Sequence, residues 1–351
     1  MPVPYRKRAG RGHTRSWYEK VSSSELVCVG IALFLVVTFM SISTSNFLTV
    51  QNLTNVAENT SFTAIAALGM MLVMITGGID LSVGSVMAMS AVVMFTVMGT
   101  ISGASPDGSW SSYLVHLNEF PVLVLCISIF AAFGSAVLAG LISGFCVVFL
   151  GLPPFVTTLG MLSIVRGLVY VMTGGRGATA SGPSSDYLYV LTSGSIFGIP
   201  LIFVYLLVAA IALHVALRHT AWGRHIFAVG GNEAAANASG VPVTQVKMKV
   251  YVFCSLAAGL QGALLAGWLG SAPANMALGY ELYVVASTVL GGVSLTGGVG
   301  SALGTLLGCS LLEVIRNGLV LAQINAYWQQ VFAGAIIIMV ISVDKLRARF
   351  F

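Results

Sequence analysis

Ionisable side chains are sparse in this sequence, and their positions limit the chemistry open to it. Asp80 lies in Thr76-Gly77-Gly78-Ile79-Asp80-Leu81-Ser82-Val83-Gly84, where two helix breakers and one carboxylate interrupt an apolar stretch. A charge at bilayer depth costs at least ~2.5 kcal/mol and marks a pathway or a paired site. Asp80 can cap the helix that restarts at Leu81 and can also line a path beside Ser82. Glu313 and Arg316, three residues apart, share one helical face and can neutralise each other. With Arg166 they read as buried structural charges, while Asn275, Glu281 and Asn317 offer polar groups to a hydroxylated solute. His214, His219 and His225 lack a metal-ligand pattern, and His13 and His116 are isolated. There is no metal site, nucleophile-base pair, H-E-x-x-H or G-x-x-x-x-G-K-[ST] loop, so neither catalysis nor direct ATP binding is expected.

The elements that must position these groups are membrane helices. The chain is 57% hydrophobic and 8% charged, against roughly a quarter charged in soluble domains. Spans of the required ~20 apolar residues are predicted near 26 to 44, 60 to 76, 82 to 101, 121 to 149, 153 to 173, 198 to 218, 247 to 270, 283 to 291, 301 to 321 and 327 to 343. The predicted fold is an all-α integral membrane bundle of about ten transmembrane helices, with a broken or re-entrant segment around 283 to 301. Gly140-x-x-x-Gly144 and Gly300-x-x-x-Gly304-x-x-x-Gly308 put glycine rows on single helix faces for close packing. The five cysteines, Cys28, Cys126, Cys146, Cys254 and Cys309, sit singly in apolar stretches and read as small core residues.

Charge sets the orientation. The net charge is +5, and six of the sixteen basic residues precede the first span, namely Arg6, Lys7, Arg8, Arg11, Arg15 and Lys20. This is a cytoplasmic anchor by the positive-inside rule, not a nucleic-acid groove. Lys345, Arg347 and Arg349 at the C-terminus, and Arg218, Arg224, Lys247 and Lys249 flanking the loop after the sixth crossing, fall on the same side. The expected domains are a basic cytoplasmic N-terminus (1–25), a permease domain (26–343) with a cytoplasmic loop at 219–246, and a cytoplasmic tail (344–351). An internal echo relates Gly77-Gly78-Ile79-Asp80-Leu81-Ser82 to Gly291-Gly292-Val293-Ser294-Leu295-Thr296, as expected for a transporter pseudo-repeat.

Taken together, TGGIDLSVGS (76–85), LPPFVTTLGM (152–161), GGNE (230–233) with Ser239-Gly240, GYEL (279–282), the glycine run 291–301 and YWQQ (327–330) resemble the permease subunits of bacterial sugar ABC importers. That class transports ribose, xylose or galactose within a superfamily that includes branched-chain amino acid permeases. The resemblance implies an inner-membrane, multi-pass subunit that forms the path for a monosaccharide or related polyol and has no cofactor of its own. Its implied partners are a second permease subunit, a cytoplasmic ABC ATPase that binds ATP and Mg, and a periplasmic solute-binding protein. It also turns the loop into a coupling helix, with Gly231, Asn232, Glu233, Ala234, Ala235 and Gly240 meeting the ATPase. The chain departs from the common pattern at Ala234, Asn237, Tyr283 and Val299. A stand-alone carrier driven by an ion gradient, with Asp80 or Glu313 as the ion site, is the alternative reading.

Overall fold

A computed structural model describes residues 25–102 and 119–325, Leu117, and scattered positions between 327 and 342. The basic N-terminus and C-terminal tail, His13 and His116 lie outside the described residues. The helices are α1 Glu25–Ser43, α2 Val50–Ile75, α3 Val83–Ile101, α4 Pro121–Val148, α5 Pro154–Thr173, α6 Pro183–Ser193, α7 Leu201–His219, α8 Ala221–Gly231, α9 Glu233–Ala238, α10 Val243–Leu269, α11 Tyr280–Leu290 and α12 Ala302–Leu321. Two-residue strands complete the set: β1 Gly177–Ala178, β2 Ser195–Ile196, β3 Ile199–Pro200 and β4 Ala272–Pro273. Eight of the helices are long and apolar enough to cross a membrane. With the half-length α11 and the helical positions described between 327 and 342, this is the all-α polytopic bundle expected.

Local chemistry fixes several helix ends. Thr49, Thr220, Asn232 and Ser301 cap α2, α8, α9 and α12 by accepting from backbone N–H groups three residues on. Proline opens α4, α5 and α6, where its missing N–H costs nothing.

The bundle is arranged around α2. Its most apolar window is 89% buried, whereas that of α1 is 0% buried, so α2 is the central column and α1 a peripheral stave. α10 packs against α2, α3 and α4. Gly140 and Gly144 bring α4 onto α10, against Val252 and Ser255 and against Met248 and Tyr251. Gly304 and Gly308 bring α12 onto the backbone of Gly291 and Ser287. Both glycine rows therefore pack within the subunit. Phe34, Phe39 and Ile42 of α1, Val171 of α5 and Ile211 of α7 are left exposed, a distribution that suits lipid as the surrounding solvent. Cys254 and Cys309 are core residues, but Cys126 is exposed on α4, because an apolar run places residues on the outer faces of helices as well as inside.

The two ends of the bundle are distinct. At one, β1 pairs antiparallel with β4, Ala178 opposite Ala272, and α2 begins beside the end of α12. At the other, the end of α2 meets α8 and the loop before α12. α2 spans 26 residues, about 39 Å at 1.5 Å per residue, enough to cross a bilayer.

Candidate functional site

The two segments that echo each other in sequence are both helix breaks. α2 ends where Thr76, Gly77 and Gly78 donate to the carbonyls of Leu72, Met74 and Val73, and α11 ends where Gly291, Gly292 and Val293 donate to Ser287, Val289 and Thr288. These are the same three bonds in the same order, with Gly77 (φ 80°) and Gly292 (φ 82°) taking the left-handed turn that favours glycine. Beyond each, a side-chain oxygen bonds two residues forward. Asp80 Oδ1 accepts from the Ser82 N–H (2.9 Å) and Oγ (2.6 Å). Ser294 Oγ accepts from the Thr296 N–H (3.2 Å) and pairs with its hydroxyl (2.8 Å). The echo thus extends to hydrogen bonding, although the second break is one residue shorter between its turn glycine and the bonding side chain.

Asp80 and Ser82 are fully buried, and Asp80 Oδ2 has no hydrogen-bond partner among the described residues. The Tyr251 hydroxyl, likewise buried and unpartnered, lies over Gly78. Asp80 organises the turn into α3.

A second group of residues surrounds the start of α11. From β4 the chain runs non-helically to Gly279, and Arg166 of α5 holds that run. Its Nη1 donates to the carbonyls of Ala274 (3.1 Å) and Met276 (2.8 Å), and Nη2 to Gly84 at the start of α3 (3.2 Å). Arg166 makes no ion pair among the described residues. Its guanidinium takes the place of backbone donors for a stretch that forms neither helix nor sheet, as membrane-buried irregular backbone requires. Gly84 has no room for a Cβ, because the Glu281 carboxylate and the Ala277 carbonyl press against it. Asn275 is exposed and Glu281 half-buried, so both sit with Arg166 around this run, with Asp80 and Ser82 in the interior behind it.

The other side of α11 is polar too. Thr63 Oγ1 of α2 donates to Glu313 Oε1 (2.7 Å), and with that proton committed, the Tyr280 hydroxyl donates to Thr63 (2.8 Å). Arg316 Nη1 lies 3.7 Å from Glu313 Oε1, the i,i+3 pair expected from the spacing. α11 therefore begins among two arginines and two carboxylates, and its N-cap is Gly279 in the left-handed conformation. Thr63, Tyr280 and Tyr251 escaped sequence reasoning, since a threonine or tyrosine in an apolar helix has no distinguishing local pattern.

The loop after α7 folds into two helices. α8 buries Gly223, Ile226 and Val229 and sets Trp222 against Phe253 of α10, the rings tilted by 47° with centroids 5.2 Å apart. Asn232 ends α8 and caps α9, its Oδ1 accepting from the Ala235 N–H at 2.9 Å. α9 turns Glu233, Ala234 and Ala235 outward, buries Ala236, and stops at Gly240 (φ 82°). Glu233 is ion-paired with Lys247 of α10. Beside them Val147, Val148, Gly151–Pro154, Val243 and Thr244 complete a cleft of about 370 Å³.

The family model "Branched-chain amino acid transport system / permease component" matches residues 52–341. The chain belongs to this permease family. The permease is 33% identical over 336 residues to the ribose import permease protein RbsC of Escherichia coli (strain K12), covering 95% of this chain and 96% of the relative. It is 33% identical over 318 residues to RbsC of Bacillus subtilis (strain 168), covering 91% and 92%. It is 34% identical over 322 residues to the galactose/methyl galactoside import permease protein MglC of Escherichia coli (strain K12), covering 90% and 93%. The resemblance carried by the motifs therefore holds over nearly the full length of the permease. No solved structure matches this chain.

Proposed function

We propose that this permease forms the path for a monosaccharide or related polyol in an ATP-driven importer and receives its energy from a separate cytoplasmic ATPase. The observation that carries the reading is near full-length similarity to ribose and galactose import permeases, in a chain whose α11 starts within the bundle among Arg166, Glu281, Glu313 and Arg316. The non-helical run 274–279 and the first turn of α11 are the proposed contact for solute, with Asn275 and Glu281 lining it and Asp80 and Ser82 setting the break behind it. Arg166, Glu313 and Arg316 hold the site rather than bind the cargo. Selectivity rests with a periplasmic solute-binding protein, so weak binding here suffices for passage.

The exposed face of α9, with Gly231, Asn232, Glu233, Ala234, Ala235 and Gly240, is the proposed ATPase contact. Two permease copies, two ATPase domains and the binding protein complete the assembly, with both chain termini cytoplasmic. ATP and Mg belong to the ATPase, and the permease performs no bond chemistry.

Reconstitution tests this directly. Proteoliposomes containing the permease should take up radiolabelled ribose or galactose only with the ATPase, ATP and the binding protein all present. Uptake by the permease alone, driven by a proton or sodium gradient, would replace the importer with a secondary carrier.

A further inference from the structure

The two helix breaks and the end of α8 meet at one point, and glycine makes the meeting possible. Gly298 donates its N–H to the carbonyl of Ile75 at 2.8 Å, so the last carbonyl of α2 is satisfied by the second break instead of by its own helix. Gly230, at the end of α8, sits between these two partners. A Cβ there would overlap the Ile75 carbonyl and come 2.6 Å from the Gly298 nitrogen. At Gly297 a Cβ would lie 2.9 Å from the Gly230 carbonyl and 3.1 Å from the Gly77 nitrogen. Gly300 packs on the Ile75 side chain.

We infer that Gly230, Gly297, Gly298 and Gly300 are positioning residues that link the ATPase-facing helix α9 to both breaks at once. Only Asn232 separates α8 from α9, and the Asn232 cap ties the two helices together. α8 in turn packs against the bundle through Ile226 and Val229. A displacement of α9 therefore moves α8 as a lever, and the tip of that lever bears on backbone rather than on side chains that could yield. The Ile75 carbonyl and Gly298 N–H must travel together or leave a buried polar group unpaired. One input thus shifts the run leading to Asp80 and α3 and the run joining α11 to α12.

This inference rests on the proposed docking of the ATPase at α9, and the test separates the two. The full permease, ATPase and binding protein are reconstituted with Gly230→Ala, and with Gly134→Ala on α4 as a size-matched control whose Cβ meets nothing within 4 Å. Co-purification of the ATPase, ATP hydrolysis and solute uptake are measured together. Gly230→Ala should retain the ATPase and hydrolysis while solute moved per ATP falls at least tenfold, with the control unchanged. A second pair guards against misfolding: Gly300→Ala should lower the same ratio, and adding Ile75→Ala, which removes the atoms 2.8 and 3.0 Å from the new methyl, should restore it. An unchanged ratio in Gly230→Ala, or no rescue by Ile75→Ala, overturns the linkage. If the unsubstituted permease fails to retain the ATPase, or cysteines on α9 do not cross-link to it, the docking assignment falls instead.

Discussion

Asn52 and Asn317 exchange reciprocal side-chain amide hydrogen bonds, at 3.0 and 2.8 Å, across 265 positions of sequence. Asn52 also donates to the carbonyl of Phe47 at 2.9 Å, so the clasp joins the end of α12, the first turn of α2 and the loop before it. It closes the end of the bundle opposite the glycine junction.

Removing one half of this clasp strands the other. Asn317→Ala should cost about 1 kcal/mol, the scale of an interhelical bond in lipid plus a partly orphaned amide. Thermal unfolding in detergent checks it, and the double substitution Asn52→Leu with Asn317→Leu should melt closer to the unsubstituted protein than either single variant.

Arg166 is irreplaceable by charge alone. Lysine offers a point donor where the guanidinium reaches three carbonyls in two directions. Arg166→Lys should lower uptake several-fold and Arg166→Met at least tenfold, in proteoliposomes matched for permease content. Equal uptake by all three would remove the tether from the mechanism.

Substitution at Asp80 separates turn formation from contact with solute. Asp80→Asn keeps an oxygen for the Ser82 N–H and hydroxyl, whereas Asp80→Ala forfeits both bonds. A loss of roughly 1 to 2 kcal/mol is expected for alanine. If Asp80 serves the turn alone, Asp80→Asn retains uptake. Abolished uptake with unchanged melting would assign it a part in the path.

Glu233 tests the ATPase face. Glu233→Lys sets two cations side by side where Lys247 now has its partner, and reverses the charge offered at the tip of α9. ATP hydrolysis stimulated by the binding protein and solute uptake should part company, with uptake falling further. A bulky residue at Gly240, where φ is 82°, should do the same. Unchanged uptake and stimulation in both would remove α9 as the contact.

Much of the architecture was legible because lipid imposes length and apolarity together. The spans expected at 82 to 101 and 121 to 149 appear as Val83–Ile101 and Pro121–Val148. The span expected at 60 to 76 begins ten residues earlier, at Val50. Its first turns carry Gln51, Asn52, Asn55, Glu58 and Asn59, which resemble a loop until Asn317 supplies a partner across the bundle. α10 likewise starts at Val243, before the point where Lys247 and Lys249 let hydropathy rise. α8 was hidden because Gly223, Gly230 and Gly231 read as loop punctuation, while tertiary contact makes the first two necessary within a helix. In the candidate site, the Glu313 and Arg316 pair followed from spacing. The partners of Arg166 could not be foreseen, since every residue carries a carbonyl and none advertises that it lacks a donor.

That same anonymity leaves evolutionary latitude. The guanidinium grips main-chain oxygens at Ala274 and Met276, so the exposed side chains of Asn275 and Leu278 can be exchanged without loosening the hold. On the proposed solute contact, a lineage could retune the cargo its permease tolerates at these two positions, while the latch that keeps the run in place stays the same.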